Sequence, residues 1–475
     1  METWTALVSR AQDTDADAVI SSTETLSGHA LLARSRGAVG WLDALGVDRG
    51  VPVPALLGMS GDALALTIAG AASHRPLAPL GVRQTQHEII GCLERLRSPV
   101  LLAQPEFEEL ARAVADRCGR SVVLVDALPS SEEPLSTPSA GDAALVLHTS
   151  GTTGHPKSVV CRQGALAARV QVNMALLGLK PGHVYATASP FHHVAGLGLV
   201  LVALGAGATT CAMPQFTVEA WQGLADYEVT HALAVPTMVE MLLRENALAL
   251  RSLQTLQYGA APMPPETLRR AMQALPGVDF TDIFGQTEGS PISCLTPADH
   301  RRAAAGDEHL LQSVGRAAPG VELVIADPDE TGVGEIVVRA AQAFAPDPDG
   351  WLRTGDLGRL DDEGYLYLVG RKGDKIIRGG ENIYPIEVEN VLAEHPSVLE
   401  VAVVGLADPL LGESIKAFVV PVDRDNPPGE EALRQFVRAS LSGFKVPQQW
   451  EFLPALPRNP NGKLLRRALR GTSGR

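Results

Sequence analysis

The chain has 475 residues, more than a single ordinary core holds, so two or three domains are expected. Hydrophobic residues make up 45% and charged residues 20%, a globular balance that excludes wholesale disorder. The formal net charge of -14 argues against nucleic acid or an anionic membrane as the main partner, since both require basic surface.

The five cysteines, Cys92, Cys118, Cys161, Cys211 and Cys294, are widely spaced and form no Cys-x-x-Cys unit. Neither a zinc site nor a disulfide framework is signalled, and a reduced cytoplasmic setting fits. Met1-Glu2-Thr3-Trp4 offers no basic region followed by an apolar one, so no signal peptide is expected. The apolar stretch from Val194 to Ala212 is broken by glycines and bounded by Pro190 and Pro214, so it reads as α/β core and not as a membrane span.

In chain order, Ala30 to Leu45 has a helical pattern with Gly46 as its stop. Val53 to Gly58 reads as a strand and Asp62 to Ala72 as the helix behind it. Val100 to Ala103 and Ser121 to Val125 are short apolar strands. Strands separated by helices imply a parallel sheet with both faces covered. Ser130 to Gly141 is a Ser-, Pro- and Glu-rich loop. Alternation resumes with strands at Ala143–Leu147, Val184–Ala188, Ala208–Cys211, His231–Val235 and Leu256–Gly259. Helices are expected at Ala195–Gly205, Phe216–Tyr227 and Thr237–Asn246. From Val321, short strands at 322–325 and 335–339 suggest a small antiparallel barrel. Tyr365 to Val369 is a further strand. The tail then has its own alternation: helix Pro385–Ala393, strands Glu400–Val404 and Ile415–Val420, helix Glu430–Ser440. At roughly 100 residues it suffices for a separate small domain.

Between the strand at Ala143–Leu147 and Lys157 lies a loop of hydroxyls and glycines, Thr149-Ser150-Gly151-Thr152-Thr153-Gly154-His155-Pro156-Lys157. Backbone N–H groups, hydroxyls and a lysine at such a turn suit phosphate oxygens. The spacing is not that of the common P-loop, which needs Gly-x-x-x-x-Gly-Lys-Ser/Thr. A polar surface loop is the competing reading of this stretch taken alone.

Five further segments follow in order: Tyr258-Gly259-Ala260-Ala261-Pro262-Met263-Pro264, Phe284-Gly285-Gln286-Thr287-Glu288, Trp351-Leu352-Arg353-Thr354-Gly355-Asp356, Gly370-Arg371 with Gly379-Gly380-Glu381-Asn382-Ile383-Tyr384-Pro385, and Asn459-Pro460-Asn461-Gly462-Lys463. Together the six segments resemble the adenylate-forming superfamily of acyl- and aryl-CoA synthetases, stand-alone adenylation domains and beetle luciferases. The resemblance spans nearly the whole chain and is closest to acyl-CoA synthetases. It implies an α/β fold: a large N-terminal domain (residues 1–370) of layered, parallel-rich sheets with helices plus a small β-barrel, then a small mobile α+β C-terminal domain (371–475).

The same resemblance implies ATP, Mg²⁺ and coenzyme A as cofactors and a two-step reaction. A carboxylic acid would attack the α-phosphate of ATP, pyrophosphate would leave, and the acyl-adenylate would pass its acyl group to a thiol. Two anions must meet, so cations are needed where charge develops. Lys463 would bridge carboxylate and α-phosphate, against the competing reading of a solvated tail lysine. Glu288 would hold Mg²⁺, a hard cation that prefers oxygen ligands; a helix-start carboxylate is the alternative. Thr149, Ser150, Gly151, Thr152, Thr153, Gly154 and Lys157 would bind the β- and γ-phosphates. Gly259, Ala260, Ala261, Asp282, Phe284, Gly285 and Thr287 would contact the nucleotide, with Phe284 either stacking on adenine or serving as a core aromatic. Asp356 would accept the ribose hydroxyls, or form a salt bridge. Arg371 would contact ribose or phosphate at the domain junction. Gly379 and Gly380 would face the thioester tunnel.

Ser189-Pro190-Phe191-His192-His193-Val194-Ala195-Gly196 resembles the segment that places a histidine, here His193, at the carboxylate site. A core histidine competes. The segment holds no Asp for an α-ammonium, and Ile283 occupies the position of a dicarboxylate-binding arginine, so amino acids and dicarboxylates are disfavoured. The expected walls, Val194, Ala195, Gly259, Ala260, Ile283, Gly285, Ser290 and Pro291, are small or apolar and suit an apolar acyl, aryl or bulky polycyclic acid.

Three departures from the family stand out. Gly373 occupies the hinge position, where Asp or Lys is usual. Ser158 follows Lys157 where glycine is usual. Only eleven residues separate Arg339 from Trp351. The acceptor thiol is coenzyme A or, as the alternative, a carrier protein's phosphopantetheine. Arg378 and Lys445 are candidates for the 3′-phosphate of CoA. A paralogue specialised for one half-reaction, or an oligomer, stays open.

Overall fold

The computed structural model describes residues 2–150, 156–213, 215–344, 346–458 and 464–471. Its architecture is mixed α/β, with two parallel-rich sheets clothed by helices and two further sheets toward the C-terminus.

The first sheet has six strands, ordered Ser121–Leu124, Val100–Ala103, Val53–Leu56, Leu77–Pro79, Ala143–Ser150 and Pro156–Arg162. All pairs are parallel except the last, a hairpin that sets Thr149 opposite Lys157. Ala55, Leu56, Leu101 and Leu102 have no exposed surface, as expected of strands covered on both faces. The covering helix Gly61–Ala72 is buried over almost its whole length, and Ser60 caps it by accepting from the Ala63 N–H at 3.2 Å.

The second sheet has nine strands. Its six parallel members run Asp17–Ile20, Thr209–Ala212, Val184–Thr187, His231–Leu233, Thr255–Gly259 and Asp279–Gln286 across the sheet. Gly289–Leu295 and Arg316–Ala317 extend one edge antiparallel, and Thr25–Ser27 extends the other.

The antiparallel strands expected after Val321 form a four-stranded sheet, Glu322–Ala326, Gly334–Arg339, Leu352–Leu360 and Leu366–Arg371, in sequence order. Its two outer strands do not pair with each other, so the sheet is not a barrel closed on itself. The Leu366–Arg371 edge bonds instead to the 314–315 segment: the Val314 N–H donates to the Leu366 carbonyl at 2.9 Å, and the Leu366 N–H to the Gly315 carbonyl at 2.8 Å.

The last sheet is built entirely from residues 376–452. Its long hairpin, Val398–Asp408 with Gly412–Pro421, is flanked by Ile376–Arg378, Glu381–Ile383 and Gln449–Phe452. Helices Pro385–Ala393 and Glu430–Ser440 cover it through Val388, Leu392, Leu433 and Val437, which are fully buried. This core is separate from those of the preceding sheets. The two regions meet where Tyr384 packs with Val333, Leu357 and Val369. Among the described residues no helix is long and apolar enough to cross a membrane.

Candidate active site

In parallel α/β sheets, ligands gather beyond the carboxyl ends of the strands. At that edge of the nine-stranded sheet the chain places His193 after Val184–Thr187, Gly259 to Ala261 after Thr255–Gly259, and Thr287 and Glu288 after Asp279–Gln286. These residues are distant in sequence, and parallel pairing brings them to one rim. Tyr258 stands beside Asp282 and Gly259 beside Ile283 in the ladder.

Gly259 sits at φ 147, and an added Cβ would lie 2.9 Å from the Ile283 carbonyl oxygen. Only glycine combines that torsion with that approach. Ala260 follows at φ 63, an uncommon conformation for a residue with a Cβ and one that clusters at binding sites. Ala260 and Ala261 are exposed, so their backbone is open to a ligand. Next to them the Asp282 carboxyl is pushed up to about 8 by burial, only partly opposed by a backbone hydrogen bond from Ile283. Burial thus favours its protonated form, which can both donate and accept. Phe284 is half-buried, packed with Ile292, Ile336 and Leu352, so part of its ring serves the core. Gly285 abuts Ser290 so closely that a Cβ would fall 2.7 Å from the serine Cβ.

The Glu288 carboxylate is half-buried and makes no hydrogen bond or ion pair among the described residues, while its backbone carbonyl accepts from Phe344 N–H at 2.7 Å. An unpaired hard oxygen donor at a site rim fits Mg²⁺, which takes one or two protein carboxylates and completes its shell with water and phosphates. No cluster of three or more metal-ligating side chains occurs among the described residues.

On the six-stranded sheet, Thr149 and Lys157 flank the expected phosphate loop. Lys157 is exposed, and no ion pair is formed by its ammonium among the described residues. Gly151, Thr152, Thr153 and Gly154, and the side chain of Ser150, lie outside the described residues, as does Lys463. Immediately before the loop, His148 Nδ1 is 3.2 Å from Ser158 Oγ, while its buried Nε2 has no hydrogen-bond partner among the described residues. Burial, and then the proximity of His193, His148 and Arg83, disfavours a proton on His192, so the two sheets' loops converge here. Burial pushes both His148 and His192 down to about 4, so these rings are neutral. His193 caps the irregular turn Val194–Gly198, its Nδ1 accepting from the Ala195 N–H at 3.2 Å. In the neutral form of the ring that bond leaves the proton on Nε2, the nitrogen then available to donate.

Asp356 and Arg371 face each other on adjacent antiparallel strands, with Arg371 Nε 2.8 Å from Asp356 Oδ1. The salt-bridge reading of Asp356 is thus realised, and both expected nucleotide contacts are joined in one pair. Gly379 and Gly380 occupy left-handed conformations at φ 58 and 89, with the Gly379 N–H bonded to the Leu411 carbonyl at 2.7 Å. Arg378, next in line, donates to the Phe444 carbonyl at 3.2 Å, and Lys445 pairs with Glu387. The two candidate CoA cations therefore share one patch.

Arg169 escaped the sequence reading. It lies on the helix Gln163–Leu177, 2% exposed, against Thr287 and Phe344. A single arginine inside the apolar run from Ala165 to Leu177 was the available signal.

Comparison with known proteins identifies the class. Residues 7–345 match the model of AMP-binding enzymes, and residues 387–463 match that of the AMP-binding enzyme C-terminal domain. The chain belongs to this family, the adenylate-forming superfamily. Its relatives include the fatty acid–[acyl-carrier-protein] ligase ScoC of Streptomyces coeruleorubidus, 32% identical over 83% of this chain and 81% of the relative. Another is the long-chain-fatty-acid–CoA ligase FadD13 of Mycobacterium tuberculosis, 30% identical over 90% and 89% respectively. Among solved structures, the amide bond synthetase McbA from Marinactinospora thermotolerans superposes with a TM-score of 0.88 at 29% identity, covering 99% of this chain and 100% of the other.

Proposed function

We propose that the protein activates an apolar, aryl or polycyclic carboxylic acid with ATP, forming an acyl-adenylate and pyrophosphate, and then transfers the acyl group to the thiol of coenzyme A. The convergence of Gly259–Ala261, Asp282, Glu288 and His193 on one sheet edge carries this reading. Asp282, held neutral by burial, offers a donor and an acceptor to the adenine edge. Asp356 would exchange part of its pairing with Arg371 for the ribose hydroxyls. Bound Mg²⁺ would neutralise phosphate charge, with Glu288 as its protein ligand and Lys157 as a second cation for the leaving pyrophosphate. His193 would donate from Nε2 to the substrate carboxylate, orienting it for attack.

Lys463 would complete adenylation, delivered by residues 371–475 as a mobile unit on the body formed by residues 1–370. Gly373 would then serve as the hinge. Its backbone is not left-handed here, and a Cβ would meet nothing within 4 Å. The glycine is therefore not required by this conformation, which leaves its freedom for another.

The shared patch of Arg378 and Lys445 supports CoA as acceptor, since a 3′-phosphate would find two cations there. A carrier-protein thiol is the second reading, favoured by the relative named as an acyl-carrier-protein ligase. Pyrophosphate release across a panel of carboxylic acids tests adenylation, and product mass with CoA or a phosphopantetheinylated carrier identifies the acceptor. No pyrophosphate with any acid would refute the reading.

A further inference from the structure

Arg169 is a buried cation without an ion-pair partner among the described residues. It is 2% exposed, its Nε has no hydrogen-bond partner, and no carboxylate lies within ion-pair distance of it among the described residues. Burial pushes its guanidinium down to about 10, with the charge of Glu288 acting in the opposite sense. A charge held in this way is costly to fold around. Its contacts show what it holds. Nη2 donates a long hydrogen bond, 3.4 Å, to the Thr287 carbonyl, 118 residues away. The guanidinium lies over the Phe344 ring, 4.1 Å from its centre. Phe344 in turn donates its N–H to the Glu288 carbonyl at 2.7 Å. The helix end of this circuit is fixed by Asn173, whose side chain donates to the Arg169 carbonyl at 2.8 Å.

Arg169, Thr287, Glu288 and Phe344 thus form a closed ring of contacts around the turn that presents the Glu288 carboxylate. We propose that Arg169 is a positioning residue: by gripping the Thr287 carbonyl and the Phe344 ring, it fixes the Thr287–Glu288 turn so that the Glu288 carboxylate stands unpaired at the site rim, ready for the metal. The last clause rests on the reading of Glu288 as the Mg²⁺ ligand; the grip on the turn does not. A guanidinium suits the task because its planar fork can stack on a ring and donate sideways at once. An ammonium makes the second contact without the first geometry.

The test uses the full chain carrying Arg169→Met, which keeps an unbranched apolar stem while removing the guanidinium, its charge and its donors. Amide hydrogen exchange at Phe344, measured without nucleotide or metal, should accelerate at least tenfold while the strands Val53–Leu56 and Thr255–Gly259 stay protected. In pyrophosphate release, the Mg²⁺ concentration for half-maximal rate should rise about tenfold, with the KM for the acid unchanged. Arg169→Lys should restore little of either. Phe344→Leu, which keeps the N–H and removes the ring, should reproduce both effects more weakly and covers the case in which the Met variant does not fold. Unchanged Phe344 exchange in Arg169→Met and Phe344→Leu would overturn the proposal whatever the metal does. Accelerated exchange together with a wild-type Mg²⁺ requirement in Glu288→Gln would uphold the grip and remove Glu288 as the metal ligand.

Discussion

Arg371 Nε lies 2.8 Å from Asp356 Oδ1, and the two residues are direct partners in an antiparallel ladder. The pair stands at the last strand of the four-stranded sheet, just before the chain enters its C-terminal sheet. Asp356 is nearly buried there while Arg371 is 40% exposed. Solvent on the arginine side screens the pair, so its contribution to stability is about 1 kcal/mol or less.

Function and stability therefore separate at this position. Asp356→Asn should lower the melting temperature by no more than a few degrees, yet should weaken ATP binding about tenfold or more. The ATP-dependent rise in melting temperature reads both quantities in one experiment. A variant with wild-type ATP stabilisation would remove Asp356 from the nucleotide site.

Asp282 gives a prediction with a defined sign. Its folded value, about 8, lies above the ordinary carboxyl range, so between pH 4 and 8 the folded state holds a proton that the unfolded state has released. Stability from this group is complete below pH 4 and is lost as pH rises toward 8, at up to ~1.4 kcal/mol per pH unit. Asp282→Asn, which imitates the neutral acid, should flatten that part of the denaturation profile and keep ATP binding within a few-fold. Asp282→Ala should flatten the profile and lose ATP binding. Equal ATP affinity in the two variants would show that the carboxyl does not touch the nucleotide.

Buried histidines act in the opposite direction. Burial pushes His148, His192, His231 and His300 down to about 4, so the unfolded chain takes up protons before the folded one does. Stability is present above about pH 6.5 and falls as pH drops toward 4, each ring adding up to ~1.4 kcal/mol per unit. His192 is the cleanest probe, because its ring makes no hydrogen bond among the described residues, whereas His300 bonds the Tyr258 hydroxyl at 2.8 Å. His192→Phe should reduce the acid slope of urea-unfolding free energy by about one proton. An unaltered slope would mean that His192 titrates normally.

Much of this fold was legible because its strands are short apolar runs and several of its helices carry clear start and stop signals. Val100–Ala103, Pro385–Ala393 and Glu430–Ser440 have the bounds expected from pattern alone. The helix Gln163–Leu177 was not legible: Arg162 before it makes no side-chain cap, and its apolar residues are spread around the axis instead of forming a stripe. Arg169 was hidden with it. The strand Pro156–Arg162 was obscured by the loop that precedes it, since a proline at a strand start reads as a breaker. The candidate site residues were singled out by their motifs, whereas the pairing of Asp356 with Arg371 and the approach of Arg378 to Phe444 arise from chain pairing across fourteen and sixty-five residues, respectively, of intervening sequence. No local pattern encodes such contacts.

Gly373 tests the hinge. With open space around an added Cβ and no left-handed torsion, Gly373→Ala should be tolerated, stabilising this conformation by about 0.4–1 kcal/mol through the unfolded chain. Gly373→Pro should impair one half-reaction more than the other, read as pyrophosphate release against thioester formation from supplied acyl-adenylate. Equal losses would place the rotation elsewhere.

Lys463 lies outside the described residues, but the chain is tied down on either side of residues 459–463. Arg458 bridges to Leu464 and pairs with Glu400 at 2.9 Å, while Arg466 pairs with Glu389 and lies 3.6 Å from Asp374. Arg470 adds a second contact to Asp374 at 3.2 Å. Asp374 directly follows Gly373, the proposed hinge, so the residues that follow the lysine segment are tied to the chain just past that glycine. Lys463→Ala should abolish adenylation and leave acyl transfer from supplied acyl-adenylate largely intact, because only the first step brings two anions together. Asp374→Asn keeps the lysine but weakens both anchors, so it should lower the adenylation rate several-fold with little change in transfer. Loss of both steps in Lys463→Ala would show that the lysine serves the site as a whole and not the first anionic encounter alone.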